Sequence, residues 1–201
     1  MRKVLLAIAL SLGITGAALA KDGGDQGHGH GNDDGMRFRA HLVGGDLNGN
    51  PIVTNATGEA SLTVIDHGTA LRFRVEIAGI RNLWQAHIHI AAQGPVAPNQ
   101  PVGPIAFWFV PSSNAAPDSN VSERFDGEMS GGVIMTNAQL TGPLAFDPAN
   151  AENTGIAGLL KAIGEGRATI VVHTNDLDNS NNQVPGVSGD SPAGEIRGLI
   201  Q

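Results

Sequence analysis

Residues 70–91 read Ala-Leu-Arg-Phe-Arg-Val-Glu-Ile-Ala-Gly-Ile-Arg-Asn-Leu-Trp-Gln-Ala-His-Ile-His-Ile-Ala, and the fold class follows from them. Leu71, Phe73, Val75 and Ile77 alternate with Arg72, Arg74 and Glu76. That is the two-residue period of a strand with one apolar and one wet face. A strand is therefore expected over Ala70–Ala78 and another over Leu83–Ala91. In the second, Trp84, Ile88 and Ile90 are assigned to the core, and His87 and His89 project together on the opposite face beside Gln85.

Working outward, Arg37–Leu42 and Glu59–Ile65 repeat the alternation, and Asp66-His67-Gly68 supplies a hairpin turn. Downstream, Ile105–Val110 is an apolar run suited to a buried strand, and further strands are expected over Val121–Met129, Ala168–Thr174 and Glu195–Ile200. Between them, Asn137–Leu140 suits a single turn. Thr154 is placed to cap a helix ending at Gly164. The expected architecture is all-β: an antiparallel β-sandwich or flattened Greek-key barrel of about eight strands with one short helix. Its 28 glycines and low charged fraction of 15% suit short strands joined by turns.

The N-terminus reads differently. Arg2 and Lys3 precede the apolar run Val4–Leu12, and Ala18-Leu19-Ala20 has the small-residue pattern of a signal-peptidase site. The run is shorter than the ~20 residues of a membrane span. Residues 1–20 are thus expected to be a signal peptide, residues 21–35 a disordered Gly/Asp/His-rich tail, and residues 36–201 the folded domain. The mature chain is then secreted or periplasmic, without a membrane anchor. His28 and His30 in the tail are a candidate chelating pair, set against the reading of a solvated spacer.

Composition excludes several functions. A net charge of −7, made more negative by leader removal, disfavours nucleic acid as a partner. The chain has no cysteine, which removes thiol catalysis, disulfides and a lipoprotein anchor. Gly186-Val187-Ser188-Gly189-Asp190 lacks the last glycine of a nucleophile elbow, and no phosphate loop or zinc-protease helix is present.

Histidines carry the remaining chemistry. On the strand Ala168–Thr174, Ile170 and Val172 suit the core, which sets His173 with Thr169 on the outer face. If this strand neighbours Leu83–Ala91, then His87, His89 and His173 converge, with His41 a candidate fourth ligand. Three neutral imidazoles suit copper or zinc. The competing reading is that they bond backbone groups and serve structure alone. Glu195 and Arg197 share a face, and are read either as groups that orient an imidazole or as a surface ion pair. In the Asn/Asp-rich stretch 175–193, Asp176 and Asp178 resemble a calcium loop, but the glycine and glutamate spacing of an EF-hand is missing.

One ordered set of motifs runs through the chain. It comprises Ala86-His87-Ile88-His89, Gly94, Gly103-Pro104 before an apolar strand, a Leu/Gly-rich helix, Val172-His173-Thr174 and Gly194-Glu195-Ile196-Arg197-Gly198. The set resembles the CHRD (chordin-type) domain family over about residues 37–200. In chordin the domain belongs to an extracellular growth-factor antagonist, and microbial members are secreted. The resemblance implies an exported binding or interaction module with an extracellular or envelope ligand. A fainter likeness links His87-x-His89 and Gly166–His173 to strands of copper/zinc superoxide dismutases, which would imply a copper-dependent redox enzyme. The third alternative is a structural envelope or matrix protein.

Overall fold

The computed structural model describes residues 35–110, 125–176 and 189–201, with the backbone alone for residues 125–133. The signal-peptide expectation for residues 1–20, the tail with His28 and His30, and Asp178 of the proposed calcium loop lie outside the described residues.

Seven strands and one helix follow in chain order: β1 (Arg37–Gly44), β2 (Thr57–Ile65), β3 (Ala70–Ile90), β4 (Ile105–Val110), β5 (Phe125–Thr136), α1 (Gly155–Gly164), β6 (Ala168–Thr174) and β7 (Ser191–Leu199). Every pairing is antiparallel. The pairings β2–β1–β7–β6–β3–β2 form a closed ring, while β4 and β5 add to β3 outside it. The sheet is therefore a small closed barrel and not two separate layers.

Among the described residues seven strands stand in place of the expected eight, because Ala70–Ala78 and Leu83–Ala91 are one strand of 21 residues. Gly79 and Asn82, at φ +68° and +49°, look like turn residues in sequence. In place of a turn they mark register shifts against β5, between Ile77 and Ile80 and between Ile80 and Leu83. Such bulges bend a strand without ending it. The bend lets β3 run with β2 over Ala70–Ala78 and with β6 over Leu83–Ile90.

Leu71, Phe73, Val75 and Ile77 enter the core as their alternation predicts. They meet Leu42, Leu62, Ile88, Ile170, Val172 and Ile196 from the other strands, and Phe73 stacks on Phe109 at 4.0 Å between ring centres. Helix α1 adds Ile156, Leu159, Ala162 and Ile163 to the same cluster. Trp84 does not join it. A register shift against β6 between Leu83 and Gln85 changes the phase, so Leu83, Ala86, Ile88 and Ile90 face inward and Trp84 is half-buried elsewhere.

Candidate metal centre

The register of β3 against β6 sets Gln85 opposite His173, His87 opposite Val171 and His89 opposite Thr169. Since Ile88, Ile170 and Val172 point into the barrel, the alternate residues His87, His89, Val171 and His173 share its outer face. His173 lies diagonal to His87, within reach of a side chain. Ring centres are 4.9 Å apart for His87 and His173, 5.4 Å for His87 and His89, and 6.1 Å for His89 and His173.

That outer face is covered. The segment Ala91–Pro104 forms an arch that meets it at His89, its backbone tied by Val96 N–H to Gly166 O (2.9 Å) and by Val102 N–H to Leu47 O (3.1 Å). His87, His89 and His173 are only 1%, 4% and 3% exposed. Residue alternation predicts the outer face but not this burial.

Two of the three rings are anchored. His89 Nδ1 donates to the carbonyl of Gly103 at 2.8 Å, and His173 Nδ1 donates to that of Pro192 at 3.0 Å. A carbonyl can only accept, so in each ring Nδ1 carries the proton and Nε2 keeps its lone pair. Gly103 suits its task because its φ of +83° is in the left-handed region, and a Cβ there would stand 2.2 Å from the Ile90 carbonyl oxygen.

His87 is held otherwise. Trp108, its partner across the β3–β4 pairing, meets its ring edge-on with centres 4.0 Å apart. Neither nitrogen of His87 has a hydrogen-bond partner among the described residues; the same holds for Nε2 of His89, Nε2 of His173 and the Thr169 hydroxyl. Unpaired buried polar atoms each cost about 1–3 kcal/mol. Trp108 was missed in sequence because the run Ile105–Val110 reads as uniformly apolar; only its alternation with Phe107 and Phe109 singles it out.

Desolvation keeps the cluster neutral. It pulls the His87 pKa from 6.5 to about 2, with further lowering from His173 and His89. His173 falls to about 4, chiefly through burial, and His89 is lowered for the same first reason. Neutral imidazole is the form that binds a metal.

One ligand atom from each ring lies within 4.8 Å of the others. Metal–nitrogen bonds of about 2.0–2.1 Å limit such spacings to about 4.2 Å, so small side-chain rotations close the site. The triad can hold a metal ion.

Other expected site residues lie elsewhere. His41 is exposed on β1 beside the Glu59 carboxylate and is not in the cluster. Glu195 and Arg197 do not form a surface ion pair, because both are buried and each has other partners. Glu195 accepts from the Thr54 hydroxyl (2.5 Å), the Thr174 hydroxyl (2.6 Å) and Gly189 N–H (2.9 Å). It ties three segments together and none of these hydrogen bonds goes to an imidazole, so orientation falls to the carbonyls of Gly103 and Pro192. Arg197 Nη1 donates to Asp46 O and Gln100 O, both at 3.0 Å, which fastens the arch to the turn after β1. Asp176 is not part of the triad either.

No helix of the described residues is long and apolar enough to cross a membrane. The model of the CHRD domain matches residues 38–181, which include all three histidines and Trp108. No curated protein matches the chain. The likeness to superoxide dismutases finds no support beside this match. Because the matched stretch spans well over half of the sequence, the chain belongs to the CHRD domain family.

Proposed function

We propose that this CHRD domain is an exported binding module that holds a copper or zinc ion through His87, His89 and His173. The observation that carries the reading is the set of unpartnered ring nitrogens turned toward one another in a buried, carboxylate-free cluster. A metal ion satisfies those lone pairs. In a purely structural cluster they would stay orphaned at about 1–3 kcal/mol each. The Nδ1–carbonyl bonds of His89 and His173 are the usual outer support of a ligating imidazole, which fixes tautomer and ring plane. The donor set is nitrogen only, which suits copper and zinc better than the oxygen-seeking calcium or magnesium.

In this reading residues 1–20 direct export and are removed near Ala20, residues 21–35 are a spacer, and residues 36–201 form the module. The barrel provides a rigid base, and the arch over the metal offers a surface to an extracellular or envelope ligand.

Metal analysis of the untagged mature chain, beside the triple variant His87→Ala/His89→Ala/His173→Ala, tests the proposal. About one equivalent of copper or zinc in the wild type and its loss in a folded triple variant is the expected result. A wild type that refuses both added metals leaves a scaffold without a metal site.

A further inference from the structure

The three imidazoles are not equivalent, and their difference bears on which ions the site accepts. His89 and His173 are locked, each with Nδ1 spent on a carbonyl and Nε2 presented. His87 has no polar tether on either nitrogen and rests edge-on against Trp108. Its ring carries no hydrogen bond, so it can turn to present either Nδ1 or Nε2 without breaking one.

Resting on the metal reading above, we propose that His87 is the displaceable ligand: divalent zinc needs it, whereas monovalent copper is held by His89 and His173 alone. The chemistry of the ions supports the division. Zinc in proteins is four-coordinate, so a three-imidazole site with one added water is the least it accepts. Monovalent copper, with a filled d shell and a single charge, is satisfied by two opposed nitrogens. Charge adds to this, since no carboxylate joins the cluster to offset a second positive charge.

His87→Phe is the informative variant because it keeps an aromatic ring against Trp108 and removes both nitrogens. Affinities for zinc and for monovalent copper (under anaerobic reduction) are read by competition with chromophoric chelators. The expected result is a loss of zinc affinity of at least about 100-fold, with copper affinity changed by no more than about threefold. His89→Phe, by contrast, loses both ions. X-ray absorption on the wild type provides an independent reading: two nitrogen neighbours around monovalent copper and three around zinc. Equal losses of both ions in His87→Phe, or three nitrogens around copper, overturn the proposal while leaving the metal reading intact. A wild type that binds neither ion overturns both.

Discussion

The Nδ1–H of His89 points at the carbonyl oxygen of Gly103, 2.8 Å away, and so joins the arch Ala91–Pro104 to the barrel strand beneath it. The contact depends on a backbone that only glycine adopts without strain, at φ +83°. Gly103→Ala would drive a Cβ into the Ile90 carbonyl, which belongs to the same strand as His87 and His89. We expect a loss of about 2–4 kcal/mol in denaturant unfolding and weakened metal uptake, because the same peptide orients His89. An unchanged unfolding midpoint would contradict this account of the arch.

Substitutions of the histidines by phenylalanine separate ligand from scaffold. In the metal-free protein His87→Phe removes two buried nitrogens that have no partners, so stability should stay level or rise by about 1 kcal/mol. His173→Phe instead breaks the bond to the Pro192 carbonyl and should cost about 1–3 kcal/mol. If His87→Phe is the more damaging of the two, His87 is a structural residue.

Acid should weaken the metal-free fold from about pH 6.5 downward. In the unfolded chain each histidine titrates near 6.5, whereas in the fold His87 is lowered to about 2, His173 to about 4, and His89 is lowered as well. Below pH 6.5 the unfolded state thus binds protons that the folded state refuses, and stability falls as pH falls. The loss from His173 levels off near pH 4 and that from His87 near pH 2. Each group contributes about 1.4 kcal/mol per pH unit inside its window. Between pH 7 and pH 5.5 His87 and His173 together should lower stability in denaturant unfolding by about 2.5 kcal/mol, with His89 adding in the same direction, and the difference should shrink in His87→Phe. Equal stability at the two pH values would show that the histidines are not held neutral.

Much of the fold was legible in the alternation of residues. Leu71, Phe73, Val75 and Ile77 announced their core face, and the shared face of His87 and His89 followed from a two-residue period. What alternation does not encode is where it slips. Gly79 and Asn82 mimic a turn but bend one long strand, and the shift between Leu83 and Gln85 moves Trp84 out of the core. Burial of the histidines was hidden for another reason. It depends on the path of the arch, which is set by hydrogen bonds between distant segments such as Val102 to Leu47 and Arg197 to Gln100. Distant segments likewise partner Glu195 (Thr54 and Gly189) and Arg197 (Asp46 and Gln100), which local pattern alone assigns to the surface.

Glu195 supports the site at a distance. Its carboxylate accepts from Thr54, Thr174 and Gly189, so Glu195→Gln replaces one acceptor by a donor facing donors. The expected cost is about 1–3 kcal/mol of stability, with metal stoichiometry unchanged in the folded fraction. Loss of metal from a protein that stays fully folded would instead make Glu195 part of the metal site.

The central claim is that three imidazoles converge on one ion. X-ray absorption of the zinc-loaded chain reads the donors directly. The account predicts three imidazole nitrogens at about 2.0–2.1 Å, with one water oxygen completing the shell. A shell made of oxygens alone, or a nitrogen shell that persists in the triple histidine variant, would contradict it.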